Sequence, residues 1–246
     1  MHEEIKKFNQ EKKELIASNA INEKLKKAKE DFNIESNKAK YSYNFSWMGR
    51  PIIAYPQDML AMQEIIWEIK PDLIIEAGIA HGGSLVYYAS ILELIGNNGV
   101  VLGLDIDIRQ HNRDFIESHA MAKRITMIEG DSTSIEIANQ VYEFAKDKKR
   151  ILVCLDSNHT HDHVLKELQL YAHLTSIGSY CVVFDTIVED LPTDYMPGGR
   201  TWNPGNNPKT AVYDFLKGND CFEIDKNIDN KILISVAPDG YLKRIK

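Results

Sequence analysis

From Leu73 onward, short apolar runs alternate with segments whose apolar residues recur every three or four positions. The runs at 73–77, 100–105, 125–129, 151–156 and 179–185 read as buried strands, because an apolar stretch of that length bounded by turn residues suits a sheet covered on both faces. The stretches between them, at about 84–95, 109–121, 133–146 and 161–175, read as helices. Alternation at this spacing predicts a parallel sheet with helices on both faces. After Asp185 the pattern breaks into Thr186–Pro208, which holds four prolines and Gly198-Gly199. A loop that long over a compact domain is a candidate lid. A helix at about 209–217 and strands at 221–225 and 231–237 then close the chain, and their short link predicts an antiparallel pair at the sheet edge.

Upstream the pattern differs. Residues 1–40 are rich in Lys, Glu and Asn, with apolar positions at Ile5, Phe8, Leu15, Ile21, Leu25, Ala28 and Phe32. They predict one or two amphipathic helices and read equally as a solvated extension, a partner helix or a cover for a site. We therefore divide the chain into a charged helical extension, 1–40, and a main domain, 41–246. Tyr41–Tyr55 is aromatic and without clean period, either a packed loop or part of a substrate pocket. Pro56-Gln57-Asp58 opens a helix to about Ile69, with Asp58 placed to cap it and Pro71 beyond its end.

Composition narrows the class. Of 246 residues, 43% are hydrophobic and 26% charged, as in ordinary globular proteins. A formal net charge of −7 argues against a nucleic-acid surface, which needs a basic stripe. No apolar run approaches membrane-spanning length, and Met1-His2-Glu3-Glu4 is not a signal-peptide start. Cys154, Cys181 and Cys221 are scattered, the first two inside apolar runs, and read as thiols in a reducing compartment. The expectation is a cytoplasmic protein with a small-molecule substrate.

The chemistry centres on Pro71–Ser84. The run Leu73-Ile74-Ile75 meets Glu76 and then a turn with Gly78, Gly82 and Gly83 before a helix. A parallel strand that ends at glycines and feeds a helix leaves backbone N–H groups where a ligand can approach. Ser84 after the last glycine excludes a phosphate-binding P-loop, and Ala80 breaks the dinucleotide fingerprint G-x-G-x-x-G. What remains, an acid–x–glycine turn with later glycines, resembles the first motif of S-adenosylmethionine (SAM) dependent methyltransferases.

Ligands in such sheets sit at the carboxyl ends of the strands. There the second strand presents Asp105, followed by Asp107, and an acid at that position accepts hydrogen bonds from ribose hydroxyls in nucleotide-binding proteins. The third presents Asp131 and Ser132, read either as contacts to an adenine edge or as a helix cap. The fourth ends in Asp156-Ser157-Asn158-His159 and the fifth in Asp185-Thr186. If these two strands are neighbours, Asp156 and Asp185 converge, and paired carboxylates suit a hard cation such as Mg²⁺ or Ca²⁺. His159 reads as a general base. Zinc finds only His161 and His163 on the same loop, and no G-x-S-x-G elbow is present for a serine hydrolase.

Trp47-x-Gly49, Pro56-x-Asp58, Lys70-Pro71-Asp72, Ile75-Glu76-x-Gly78, Gly82-Gly83-Ser84, Asp156-Ser157-x-His159 and Gly178-Ser179-Tyr180 with Asp185-Thr186 together resemble the cephalosporin hydroxylase-like, rhamnosyl O-methyltransferase family over about residues 41–215. That family includes Mg²⁺- and SAM-dependent O-methyltransferases of natural-product sugars. The resemblance implies a Rossmann-like class I methyltransferase fold: a mostly parallel seven-stranded sheet with an antiparallel C-terminal strand, helices on both faces, and the N-terminal helices in addition. It implies SAM at Glu76, Gly78, Gly82, Ser84 and Asp105, with Asp131, Ser132 and Asp156 nearby, a metal ion at Asp156 and Asp185, His159 as base, and a homo-oligomer. One position departs. Macrolide-sugar members carry Glu immediately before the second metal-binding Asp, where this chain has Phe184, so Glu189, Asp190, water or substrate oxygens would have to replace that ligand.

A sugar hydroxyl ionises near the ~16 of water, against ~6.5 for an unperturbed histidine. His159 alone therefore does not generate a free alkoxide; it takes the proton as the methyl group moves, or a metal first acidifies the oxygen. Trp202, Arg200, Tyr41, Tyr43 and Trp47 are candidate saccharide contacts, and Arg200 or Lys209 would serve a phosphorylated or phosphoramidate acceptor. Two other classes stay open: a non-catalytic SAM- or nucleotide-binding module, and the iron-dependent hydroxylase of the family name, for which no 2-His-1-carboxylate triad is convincing.

Overall fold

The computed structural model describes residues 2–193 and 200–246. In chain order its elements are α1 (Glu3–Asn19), α2 (Glu23–Lys38), β1 (Phe45–Trp47), β2 (Arg50–Ile52), α3 (Pro56–Ile69), β3 (Leu73–Ala77), α4 (Gly83–Ile95), β4 (Val100–Asp105), α5 (Gln110–Ser118), β5 (Ile125–Glu129), α6 (Ile135–Ala145), β6 (Ile151–Leu155), α7 (His161–Tyr171), β7 (Tyr180–Val183), α8 (Pro208–Lys217), β8 (Phe222–Ile224), α9 (Lys226–Ile232) and β9 (Tyr241–Arg244). Seven strands form one sheet in the order β5-β4-β3-β6-β7-β9-β8. The five from β3 to β7 are parallel to their neighbours, and β9 runs antiparallel to both β7 and β8.

Alternate residues of each central strand serve opposite cores, as the two-residue period of a strand requires. Ile74, Val101, Leu152 and Val182 pack with α3, α4 and α5 on one face. Leu73, Ile75, Leu102, Val153 and Cys181 pack with α6, α7 and α8 on the other. Burial on both sides is why these strands read as unbroken apolar runs. Strand order reverses between β3 and β6, and a crevice opens at that point beyond the carboxyl ends of the two strands.

Three local expectations are corrected. The apolar run 231–237 is not a strand. Asp225 caps a short helix through the Asn227 N–H, that helix runs to Ile232, and the last strand starts only at Tyr241. The buried Asp58 carboxylate captures the Ser235 hydroxyl at 2.6 Å and the Val236 N–H at 2.9 Å, which holds this stretch in a loop. By the same bonds Asp58 does not cap its own helix, whose N-cap is Tyr55. The aromatic stretch after Tyr41 contains a hairpin, with β1 and β2 antiparallel. Of the loop expected as a lid, residues 194–199 lie outside the described residues.

Candidate active site

A cleft of about 200 Å³ lies over the ends of β3 and β6, bounded by Glu76, Gly78, Ser84, Asp156, His159 and Asp185. Its floor is the turn after β3. Gly78 takes φ +96°, Ala80 +46° and Gly82 +78°. The turn's amides are largely used within the protein: Gly78 N–H donates to Leu104 O at 2.8 Å, Ile79 and Ala80 N–H to the Asp105 carboxylate at 2.8 and 3.2 Å, and Gly82 N–H to Ile79 O at 2.7 Å. Asp105 thus braces the turn where the sequence placed an open cradle, and it lies outside the residues that line the cleft.

Glu76 is buried beneath the turn and accepts the Ser84 hydroxyl at 2.7 Å. Burial, opposed by hydrogen bonds from Ser84 and Tyr88, pushes its carboxyl up to about 8. The sign of the resulting pH dependence follows. Below the ordinary pKa of 4.5 the group is neutral whether folded or unfolded, and the stability due to its proton is fully present. Between 4.5 and about 8 only the unfolded chain ionises, so stability falls as pH rises, by roughly 1.4 kcal/mol per pH unit for one group. Glu76→Gln keeps an acceptor for Ser84 without the titration. The ligand-free variant should therefore lose less denaturant stability than wild type between pH 5.5 and 8. Equal losses would contradict the assignment.

Asp156 and Asp185 end neighbouring parallel strands, with Phe184 N–H bonded to Leu155 O at 2.9 Å. The juxtaposition expected from the sequence is therefore present. Asp185 takes φ +54°, a left-handed conformation that Asp tolerates better than most residues. His159 Nδ1 lies 3.3 Å from the Asp185 carboxylate, its side chain 18% exposed. One donor atom from each of Asp156, His159 and Asp185 falls within 4.8 Å of the other two. Burial, and after it the charge of Asp185, raises the Asp156 carboxyl well above the usual carboxylate range. The two crowded carboxylates are oxygen donors that a hard divalent cation fits, and the imidazole stands beside them. Phe184 lines the cleft without offering a ligand.

The replacement ligands considered from the sequence are engaged elsewhere. Glu189 accepts from Gly205 N–H at 2.7 Å and from the Asn207 amide, and Asp190 pairs with Lys209 at 2.6 Å. Lys209, buried, also faces Asp239 at 3.8 Å. The other histidines of the segment turn away: His161 Nδ1 meets Thr210 Oγ1 at 2.9 Å, and His163 Nε2 meets Ser157 Oγ at 3.1 Å. Asp131 is exposed and accepts from Thr133, while buried Ser132 donates to Glu167 at 2.5 Å; neither lines the cleft, and neither caps α6, whose cap is Ser134. Tyr43 does line it, whereas Tyr41 packs among Phe32, Phe45 and Tyr55, and Trp47 donates to Ser90 Oγ at 2.9 Å. Trp202 stands edge-on to His159, ring centres 4.9 Å apart, and Arg200 lies 5.2 Å from the Trp202 ring.

In the sequence Asp58 reads as a helix cap and as part of the Pro56-x-Asp58 motif, with no role assigned in the site. It lines the cleft and accepts from Ser235, Val236 N–H and Tyr241, and burial still pushes it up to about 6. Its partners are 177 to 183 residues away, a separation over which no local pattern speaks.

The model of the family described as rhamnosyl O-methyltransferase/CmcI matches residues 39–245. The rhamnosyl O-methyltransferase of Mycobacterium tuberculosis (strain ATCC 25618 / H37Rv) is 33% identical over 201 residues, which cover 81% of this chain and 78% of the relative. That of Mycobacterium leprae (strain TN) is 33% identical over 148 residues, 60% of this chain and 62% of the relative. Among solved structures, a Mg–SAM form of CmcI superposes with a TM-score of 0.59 at 20% identity, covering 83% of this chain and 78% of that one. An O-methyltransferase from Bacillus cereus in complex with SAH gives 0.51 at 13% identity, covering 80% and 81%. At these identities the two structures speak to the fold, a class I methyltransferase sheet.

Proposed function

The chain belongs to the rhamnosyl O-methyltransferase/CmcI family and is a SAM-dependent O-methyltransferase; from that premise we propose that it methylates a hydroxyl of a saccharide, or of a related cell-surface or secondary-metabolite precursor, with His159 as general base. The observation that carries this reading is the cleft itself, where His159, Asp156 and Asp185 meet beside Gly78 and Ser84.

SAM supplies a methyl group already activated on a cationic sulfonium. The described cleft lining holds the carboxyl groups of Asp58, Glu76, Asp156 and Asp185 and no Lys or Arg, so a cationic donor meets no lysine or arginine charge there. Glu76, Gly78, Gly82 and Ser84 form the cradle in this reading, with Asp105 bracing it, and Asp131 and Ser132 stand at the next strand end. A divalent cation at Asp156 and Asp185, Mg²⁺ by family, would lower the pKa of the acceptor oxygen. His159 receives the acceptor proton, and Asp185 beside Nδ1 stabilises the imidazolium that results. Trp202 restricts the ring from one side. An uncharged hydroxyl is favoured over a phosphorylated or phosphoramidate acceptor, since Lys209 is committed to Asp190 and Asp239 and Arg200 stacks on Trp202.

The first test is calorimetric titration of SAM with Mg²⁺ and again with EDTA. Binding in the micromolar range is expected in both; none in either would remove the donor. Asp185→Asn should then lower turnover at least about 10-fold and abolish activation by Mg²⁺, while SAM still binds. A variant that keeps the wild-type Mg²⁺ response would refute the metal role.

A further inference from the structure

The turn after β3 is held from outside by two side chains of other elements. Arg50 on β2 donates through Nε to His81 O at 2.9 Å, and its Nη2 reaches the same carbonyl. That Nη2 also donates to Asn112 Oδ1 at 2.9 Å, and Asn112 Nδ2, from α5, donates to Ala80 O at 2.9 Å. Both side chains are buried, and Phe115 packs on the guanidinium with its ring centre 4.9 Å away. Among the described residues no acidic side chain pairs with Arg50, so a desolvated cation is spent on a carbonyl and an amide. Such burial is costly, and its physical return here is geometric.

We propose that Arg50 and Asn112 are positioning residues for SAM: together they fix the peptide planes at Ala80 and His81 and so the shape of the turn that receives the cofactor. The proposal rests on the reading of that turn as the SAM cradle. Ala80 is a non-glycine residue held at φ +46°, a conformation that relaxes unless its surroundings over-determine it. Asp105 holds the N–H side of Ala80, and Asn112 holds its carbonyl. Arg50 is itself seated firmly. The backbone of β2 lies so near the start of α4 that a Cβ on Gly83 would stand 2.1 Å from Pro51 O. Because Pro51 and Ile52 also wall the cleft, the hairpin joins cofactor turn and cleft wall in one unit.

The test measures SAM affinity, turnover at saturating SAM and melting temperature for wild type, Arg50→Ala, Arg50→Lys and Asn112→Ala. Removing either side chain should raise the SAM dissociation constant by about 10- to 100-fold, since hydrogen bonds to a charged group are lost, with kcat at saturating SAM within about 2-fold of wild type. Arg50→Lys keeps the charge but not the fork, so it should show the same direction; it carries the test if the alanine variant does not fold. Millimolar guanidinium should restore part of the affinity of Arg50→Ala and none of Asn112→Ala. Folded variants that bind SAM as wild type does, or that lose kcat at unchanged affinity, would overturn the proposal. Wild type that binds no SAM would instead overturn the cradle itself.

Discussion

Replacing His159 with alanine is expected to lower kcat by about 10²- to 10⁴-fold while SAM affinity stays within about 2-fold. The split follows from where the ring sits. Nδ1 is 3.3 Å from Asp185 at the end of β7, and the Trp202 edge closes one side. The turn before Ser84 is held by Leu104 O and the Asp105 carboxylate of β4 and by Arg50 and Asn112, and none of these bonds involves His159. Losing the imidazole therefore removes the proton acceptor and leaves the cradle. Wild-type turnover in the variant would dismiss the base assignment, and equal losses of kcat and SAM affinity would make His159 a binding residue.

Gly78→Ala should destabilise the protein by about 2–4 kcal/mol and abolish measurable SAM binding, because two costs add. Gly78 sits at φ +96°, where a Cβ is strained whatever the space. That Cβ would also stand 1.9 Å from the Asp156 carbonyl oxygen and 2.9 Å from Ser157 Cα, both backbone. Neither side can retreat easily: Gly78 N–H is bonded to Leu104 O at 2.8 Å, and Asp156 N–H to Ala77 O at 2.7 Å. Any movement also displaces Asp156. Gly49 supplies the control, since its φ is +85° but nothing stands within 4 Å of its Cβ position, so Gly49→Ala should lose only about 1 kcal/mol. Denaturant midpoints of the two variants compare clash with strain. If Gly78→Ala were no worse than Gly49→Ala, the close packing of β3 against β6 would not be what requires glycine.

Periodicity and turn chemistry are local, and they determined the parallel core. The strands from Leu73 to Val183 fall within the predicted runs because burial on both faces of β3, β4, β6 and β7 leaves mostly apolar residues there, while β5 at the edge is only partly buried. The acid–x–glycine turn was legible for a similar reason: glycine marks places where a side chain cannot fit, as at Gly78. That Asp156 and Asp185 would meet depended on the strand order, which the sequence carried only as a condition. Tertiary structure decided the rest. It turned Lys231–Ala237 from an apparent strand into a helix end and a loop, because the buried Asp58, 177 residues away, offers those polar groups a better partner than a neighbouring strand. It set His159 beside the paired carboxylates of Asp156 and Asp185 and sent Glu189 and Asp190 to Gly205, Asn207 and Lys209. It also turned Asp105 inward as a brace and placed Arg50 and Asn112, neither remarkable in the sequence, on the carbonyls of the turn. Spacing along a chain reports which residues share a face of one element. Which carbonyl a buried cation or carboxylate will satisfy depends on elements that meet only after folding.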